Sequence, residues 1–379
     1  MKPVRVLFTN TCIGQRTGAE MVIHDLALGL MRRGHQALVY SPRLGPLAGE
    51  LRGKGIAVVS DITRIGDVPD VIHGQHHAET MIALLRFPGV PGISVCHDRI
   101  WWADGAPEFP RIYCCVAVDE NCRDRLVNEQ GISPDRVRVI FNSVDLERFQ
   151  PRGPLPARPR RALMFSNYAE VDEDNYFDTV RAGCAASGIE LEVAGLKAGT
   201  ATDAPEKLLP RFDVVFGKAR CALEAMACGA AVVLCDFRGL GPIVTSVNFP
   251  LLRRHNFGMR TLLDPFSVEG IRARLAAYDA EDAEKVTAIV RRECAFESVL
   301  DQWIALYEEV RATAARTTPV PLEDELRAAS AYLHRLVDEL PGPDPRPEPE
   351  LTWTRAVRRC LRPLLPLSIR NWMRRRRWI

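Results

Sequence analysis

Residues 212–236 read FDVVFGKARCALEAMACGAAVVLCD, and this pattern decides the fold. A β-branched and aromatic run over 213–216 ends in the turn Gly217-Lys218. A short Ala-rich helix with Leu223, Glu224 and Met226 follows, stops at Gly229, and gives way to a second apolar run over 230–235. The unit is strand–helix–strand, with breakers where a tight crossover needs them. Its odd residue is Glu224, an acid on an otherwise apolar helix of small residues, one turn after Lys218 and Arg220. A helix N-terminus carries unpaired N–H groups and partial positive charge, so it accepts phosphate. Lys218 and Arg220 add full charges there, and Gly217 permits close backbone approach. Glu224 shares a face with Arg220 and can accept hydrogen bonds from a sugar diol. Phosphate beside a diol describes a nucleotide; the competing reading is an exposed Arg220–Glu224 salt bridge. Taken alone, the stretch leaves both open.

The same alternation runs through the chain. In the first half, strands read VRVLFTN, ALVYS, GIAVVS, DVIHG, GISVCHD, YCCVAV and VRVIF, with amphipathic helices between several of them. A basic, Pro-rich segment, PRGPLPARPRR, interrupts the pattern before it restarts with RALMFSN and IELEVAG. Alternation of this kind predicts parallel sheets with helices on both faces. The expected organisation is a first Rossmann-like domain over 1–150, a linker over 151–162 and a second Rossmann-like domain over 163–312. The second domain is expected to close with three helices, the last over 298–310. A helix and Pro-rich linker follow over 313–350, then a basic amphipathic tail over 351–379.

With 379 residues, two domains with sizeable cores are expected. A formal net charge of +2 excludes bulk nucleic-acid affinity. The 11 cysteines are odd in number and lack C-x-x-C spacing, which favours reduced thiols over a disulfide framework or zinc site. No signal-peptide core opens the sequence, and no apolar run reaches the roughly 18 residues of a membrane span. These features predict a cytoplasmic protein. The tail carries Arg355, Arg358, Arg359, Arg362, Arg370 and Arg374 to Arg377, interleaved with Trp353, Trp372 and Trp378 and free of acids. That composition suits an anionic membrane surface, with a solvated helix and nucleic-acid binding as rivals.

Together, the two Rossmann-like halves, the loop TCIGQRTGAE after the first strand, VCHD at a strand end, RVRVIFNSVDLERFQP and ALEAMACGAAVV resemble GT-B glycosyltransferases, closest to the family 4-like group. The resemblance spans residues 4–310. It implies a nucleotide-sugar donor held in the cleft between the domains, with Gly14 and Gly18 beside the donor phosphates and Glu224 on the ribose or sugar. His97, in VCHD, matches a strand-end histidine near the transferred sugar, where an imidazole can bond hydroxyls or take a proton. His73, His76 and His77 are expected on the cleft or its rim rather than on zinc, because no carboxylate or Cys stands at ligand spacing. Residues 142–145 are expected to fix a turn through Asn142 and Asp145.

Two departures stand out. Phe216 occupies the place where many relatives carry a first donor-side glutamate. The loop after RALMFSN is acidic where relatives carry Arg and Lys, so Lys218 and Arg220 are expected to take over the diphosphate charge. Gly239 and Gly241, in FRGLGP, are expected to supply another close-approach loop. The run Asp172-Glu173-Asp174 is read as a helix cap rather than a metal motif.

The reading is a glycosyltransferase that moves sugar from a nucleotide-sugar to an acceptor hydroxyl on a cell-envelope glycan or glycolipid, with retention the family expectation. No metal or resident cofactor is expected. A sugar-nucleotide epimerase or hydrolase and a catalytically silent membrane- or partner-binding module are the alternatives. If the tail binds anionic membrane, deleting residues 351–379 abolishes co-sedimentation with phosphatidylserine vesicles at low salt; undiminished sedimentation places the contact elsewhere.

Overall fold

Alternating β-branched runs and amphipathic helices give two large sheets, besides a short two-stranded pair of Cys12–Ile13 with Arg43–Leu44, in the computed structural model, which describes residues 2–170 and 176–339. The first sheet comprises β1 (Arg5–Thr9), β2 (Gln36–Tyr40), β3 (Ala57–Val59), β4 (Val71–Gly74), β5 (Gly92–Cys96), β6 (Ile112–Ala117) and β7 (Val137–Val139). All seven are parallel, in the order β3-β2-β1-β4-β5-β6-β7. The strand order reverses at β1, so the crevice beyond the carboxyl ends of β1 and β4 is where ligands bind in such folds. α1 (Gly18–Arg32) leads out of that crevice, burying Met21, Ile23, Leu26 and Leu30 against the sheet.

The second sheet comprises β8 (Arg161–Phe165), β9 (Glu190–Ala194), β10 (Val214–Gly217), β11 (Ala231–Asp236) and β12 (Gly239–Ile243), in the order β9-β8-β10-β11-β12. The first four are parallel and β12 is antiparallel. Successive side chains enter opposite cores, as the two-residue period requires. Leu163, Val215 and Val232 pack beneath α2 (Ala219–Ala227), while Met164, Phe216 and Val233 pack on the other face with Phe177, Val180 and Ile271. Both faces are thereby covered, as a parallel sheet demands.

The segment read as a linker is pinned along this second sheet. Arg152 donates its N–H to the Cys228 carbonyl and its guanidinium to the Phe212 carbonyl, and it pairs with Asp213. Asp213 in turn accepts the N–H groups of Arg160 and Arg161. β8 therefore begins at Arg161, inside the stretch read as linker.

One helix goes elsewhere than expected. The last helix of the second half, α3 (Phe296–Arg316), packs against the first sheet. Its Trp303 ring lies 4.7 Å from His73 of β4, and Tyr307 Oη bonds His73 Nδ1 at 2.8 Å. Phe296 and Leu300 press on α1 at Gly29, where a Cβ would come within 2.9 Å of both. Periodicity shows which face of such a helix is apolar but not which sheet it covers. The chain crosses between sheets twice, and the crossings pair. Val144 N–H donates to the Cys294 carbonyl and Phe296 N–H to the Val144 carbonyl, both at 2.9 Å.

The helix Leu322–Glu339 follows, and from Leu326 onward the chain belongs to a second unit. The Pro-rich linker, the basic tail and the Asp172-Glu173-Asp174 run lie outside the described residues. Among the described residues, no helix is long and apolar enough to cross a membrane. Because Trp303 fills the space between α3 and the first sheet, Trp303→Ala should cost about 3–5 kcal/mol in a denaturant titration.

Candidate functional site

Between the carboxyl ends of the two sheets lies a cleft of about 480 Å³. The first sheet contributes the loop that carries Gly14, Arg16 and Gly18. The second contributes residues 165–167, Gly195, Leu196, Arg220, Cys221 and Glu224. Gly14 sits flush against Gly45, whose Cβ would come 2.9 Å from the Gly14 Cα. Gly18 has open space around its Cα at the start of α1. At the far end, a Cβ on Gly195 would lie 1.9 Å from the Ser166 carbonyl oxygen, so this wall is bare backbone by necessity.

Arg220 and Glu224 lie on this wall, but their salt bridge is neither exposed nor simple. Arg220 Nε donates to Glu224 Oε1 at 2.7 Å, and its Nη2 donates to Asp25 Oδ2 at 2.5 Å. Asp25 belongs to α1, so the guanidinium spans the cleft floor between the two lobes. Asp25 Oδ1 bonds His24 Nδ1 at 2.8 Å, and His24 Nε2 bonds Glu50 Oε1 at 3.1 Å. Arg16 pairs with Glu50 and, across the cleft, with Asp203. Burial raises the Asp25 carboxyl, but Arg220 and His24 outweigh it and hold Asp25 well below the usual carboxylate range. Burial keeps the Glu224 carboxyl above its ordinary value despite Arg220. Both acids share one guanidinium, and Glu224 gets less of it.

Lys218 pairs with the buried Asp236, and its ammonium also lies 5.6 Å from the Tyr168 ring and 5.8 Å from the Phe237 ring. It lines a second, smaller cavity of about 160 Å³ together with Gly18, His97, Asp98, Asn142 and Arg220. Gly18, His97 and the pair Lys218 and Arg220 are therefore brought together from three separate segments. The N-terminus of α2 between these cavities has no side-chain cap. Ala219, its first residue, has φ 49°, a left-handed conformation that costs a non-glycine residue about 1–2 kcal/mol. Its N–H is held by the carbonyl of Phe257, which is left-handed too.

His97 presents an unpartnered, enclosed Nε2, and burial pushes its imidazole down to about 4. Its backbone N–H donates to Asp104, whose carboxyl burial raises to about 7. The loop that follows is rigidly tied. Asp98 accepts the N–H groups of Ile100 and Trp101, and Arg125 donates to the carbonyls of Asp98 and Trp101.

Other sequence expectations are corrected. Gly239 and Gly241 lie within strand β12 and make their close approach to the protein's own carbonyls, at Leu262, Asp264 and Thr261. Gly217 ends β10 against the Phe165 carbonyl. Phe216 is fully buried in the core, so no carboxylate faces the cleft from that position. His73, His76 and His77 line neither cavity. His73 is enclosed by Phe8, Trp303 and Tyr307, while His76 and His77 back the rings of Trp101 and Trp102. Among the described residues, no group of three His, Cys, Asp or Glu side chains is placed to hold a metal. Asp145 fixes its turn through the N–H groups of Glu147 and Arg148, as expected. Asp25 and Arg16 were missed; the signal for Asp25 was an acid within the apolar run of α1, MVIHDLALGL.

Residues 16–148 match the model of Glycosyltransferase Family 4, which covers the first lobe from the Arg16 loop onward. No curated protein matches the chain. Among solved structures, a glycosyltransferase from Rickettsia africae ESF-5 is similar, with a TM-score of 0.61 and 13% identity over 82% of this chain and 99% of that one. HepE of Anabaena, solved with UDP-glucose, gives 0.58 and 13% over 81% and 100%. Sucrose-phosphate synthase of Thermosynechococcus elongatus gives 0.54 and 12% over 82% and 100%. The chain shares the GT-B fold with these structures, and residues 16–148 of its first lobe are similar to the family 4 model. The left-handed Ala219 yields a direct check on the α2 entry. Ala219→Gly should stay within about 1 kcal/mol of the parent protein, whereas Ala219→Val should lose about 2 kcal/mol by thermal denaturation.

Proposed function

We propose that the protein is a glycosyltransferase that carries a sugar from a nucleotide-sugar in the interlobe cleft to an acceptor hydroxyl. The observation that carries this reading is Glu224. One of its oxygens is held by Arg220, and the side chain lines a cleft whose opposite wall is a glycine loop opening a helix. That is the polarity a sugar diol and a diphosphate need side by side. The match of residues 16–148 to the family 4 model and a fold shared with HepE, solved with UDP-glucose, support the same reading.

In this arrangement the nucleoside rests on residues 165–167 and on the bare backbone at Gly195, beyond the carboxyl ends of β8 and β9. The diphosphate lies between the Gly14–Gly18 loop and the uncapped start of α2. Lys218 and Arg220 are already paired with Asp236, Asp25 and Glu224, so their charge is partly spent before any donor arrives. Arg16, on the glycine loop, adds a third cation from the first lobe, itself paired with Glu50 and Asp203. In the transfer, the bond from the anomeric carbon to the diphosphate oxygen breaks, and its electron pair leaves on the diphosphate. The growing negative charge is stabilised by these fixed donors. The acceptor oxygen bonds the same carbon. Its proton passes to His97 Nε2, which is neutral at physiological pH because burial depresses it. The acceptor is a glycan or lipid-linked glycan, and the basic tail holds the protein to the inner face of an anionic membrane; retention of anomeric configuration is the expected outcome.

Thermal-shift screening against UDP-, GDP-, dTDP- and CMP-sugars identifies the donor class, and the absence of any shift would overturn the proposal. Because Glu224 is buried against Arg220, its conservative replacement is the informative one. Glu224→Gln should weaken the stabilising sugar nucleotide at least about tenfold while the protein stays folded; an unchanged Kd excludes Glu224 from the donor site.

A further inference from the structure

Asp25 is a half-buried acid on the opposite lobe from the donor wall, and nothing in the reaction proposed above uses it. Its environment is nonetheless specific. Oδ2 receives Arg220 Nη2 at 2.5 Å, and Oδ1 receives the His24 ring at 2.8 Å, so both oxygens are engaged. His24 is itself fixed from behind by Glu50. Arg220 is anchored at both ends, by Asp25 on one lobe and by Glu224 one helical turn on in the other. An Arg–Glu pair at i, i+4 on a helix surface normally swings freely and contributes little. Here the guanidinium is locked in plane, because two nitrogens on its fork meet carboxylates from different lobes.

We propose that Asp25 is a positioning residue: from the first lobe it clamps Arg220, and through Arg220 it sets the Glu224 carboxylate for the donor. This rests on the proposed donor role of Glu224. The clamp divides labour between the two oxygens of Glu224. Oε1 is taken by Arg220, which fixes the plane of the carboxylate, and the side chain lines the cleft, with Oε2 left for the donor in this proposal. Without Asp25, the guanidinium is free to rotate about its stem, take both oxygens of Glu224 in a bidentate pair, and withdraw the acceptor that a diol needs. The donor grip on one lobe is thus held in place by an acid on the other, and the grip is complete only when the lobes stand at this separation. A residue that orients a binding group through a second shell is felt in affinity far more than its own contacts suggest.

The test combines a ligand-free measurement with a titration on the full-length protein. In hydrogen exchange without ligand, Asp25→Asn should speed exchange in peptides covering residues 219–227 about tenfold, although the substitution lies on the other lobe; unchanged rates there overturn the clamp. UDP-glucose titration then reads its consequence. Asp25→Asn should raise Kd about tenfold in the parent protein but less than twofold in the Arg220→Gln background, because the effect travels through Arg220. Equal losses in both backgrounds overturn the positioning role. Should Asp25→Asn fold poorly, Asp25→Glu supplies the second case, with partial recovery of both readouts expected and none counting against the clamp. If the parent protein fails to bind UDP-glucose, the choice of donor is at fault, and the exchange measurement alone decides Asp25.

Discussion

The structure depends on where its last long helix goes. Phe296–Arg316 leaves the second lobe and lays Trp303 and Tyr307 over β4 of the first, closing the core around His73. That return seals the face of the first sheet that would otherwise be apolar and bare. It also brings the two crossings together, with Val144 bonded to Cys294 and Phe296. Both sheets are thereby presented with their carboxyl ends across one cleft. The residues of the candidate site come from those ends, from the loops just beyond them and from the helices α1 and α2 that follow.

Within the cleft, charge is arranged sparingly. Each cation named in the sequence already has a carboxylate: Lys218 has Asp236, and Arg220 has Asp25 and Glu224. Pairing of this kind keeps buried charges affordable in a medium that solvates them poorly. It also means that a diphosphate meets oriented donors rather than free positive charge. Under the proposed reading, backbone N–H groups at two helix starts and the glycine loop carry more of that task than the Lys218–Arg220 pair suggests on paper.

The alternation of strands and helices was legible because period-2 and period-3.6 patterns are local. The seven strands read from 4 to 141 and the unit at 212–236 appear where they were read. The helix at 296–316 was found but given to the wrong sheet, because an apolar face does not state its partner. Glu224 is legible as a donor-side candidate, with a salt bridge to Arg220 as the rival reading only in an exposed form. The acid that makes it a buried three-centre network, Asp25, stands 195 residues away from Arg220 in sequence. Gly239 and Gly241 looked like a phosphate loop because glycine signals close approach without saying what approaches. In the fold it is the carbonyls of Thr261, Leu262 and Asp264. Phe216 was the most telling departure, and its burial in the second core gives the reason: at that register the strand faces inward.

The paired crossings have a mechanical consequence. Two strands of chain joined side by side by backbone hydrogen bonds resist shear and stretch but tolerate bending about their common line. The passage of the chain between the lobes is thereby tied to itself at Val144 and Ala295, so the two crossings are held as one connection. Asp25 and Arg220 line the small cavity that Phe296 also walls, so their contact lies beside this tie. The Arg16–Asp203 contact, reaching the fully exposed Asp203 side chain, is the better gauge of how wide the jaw stands.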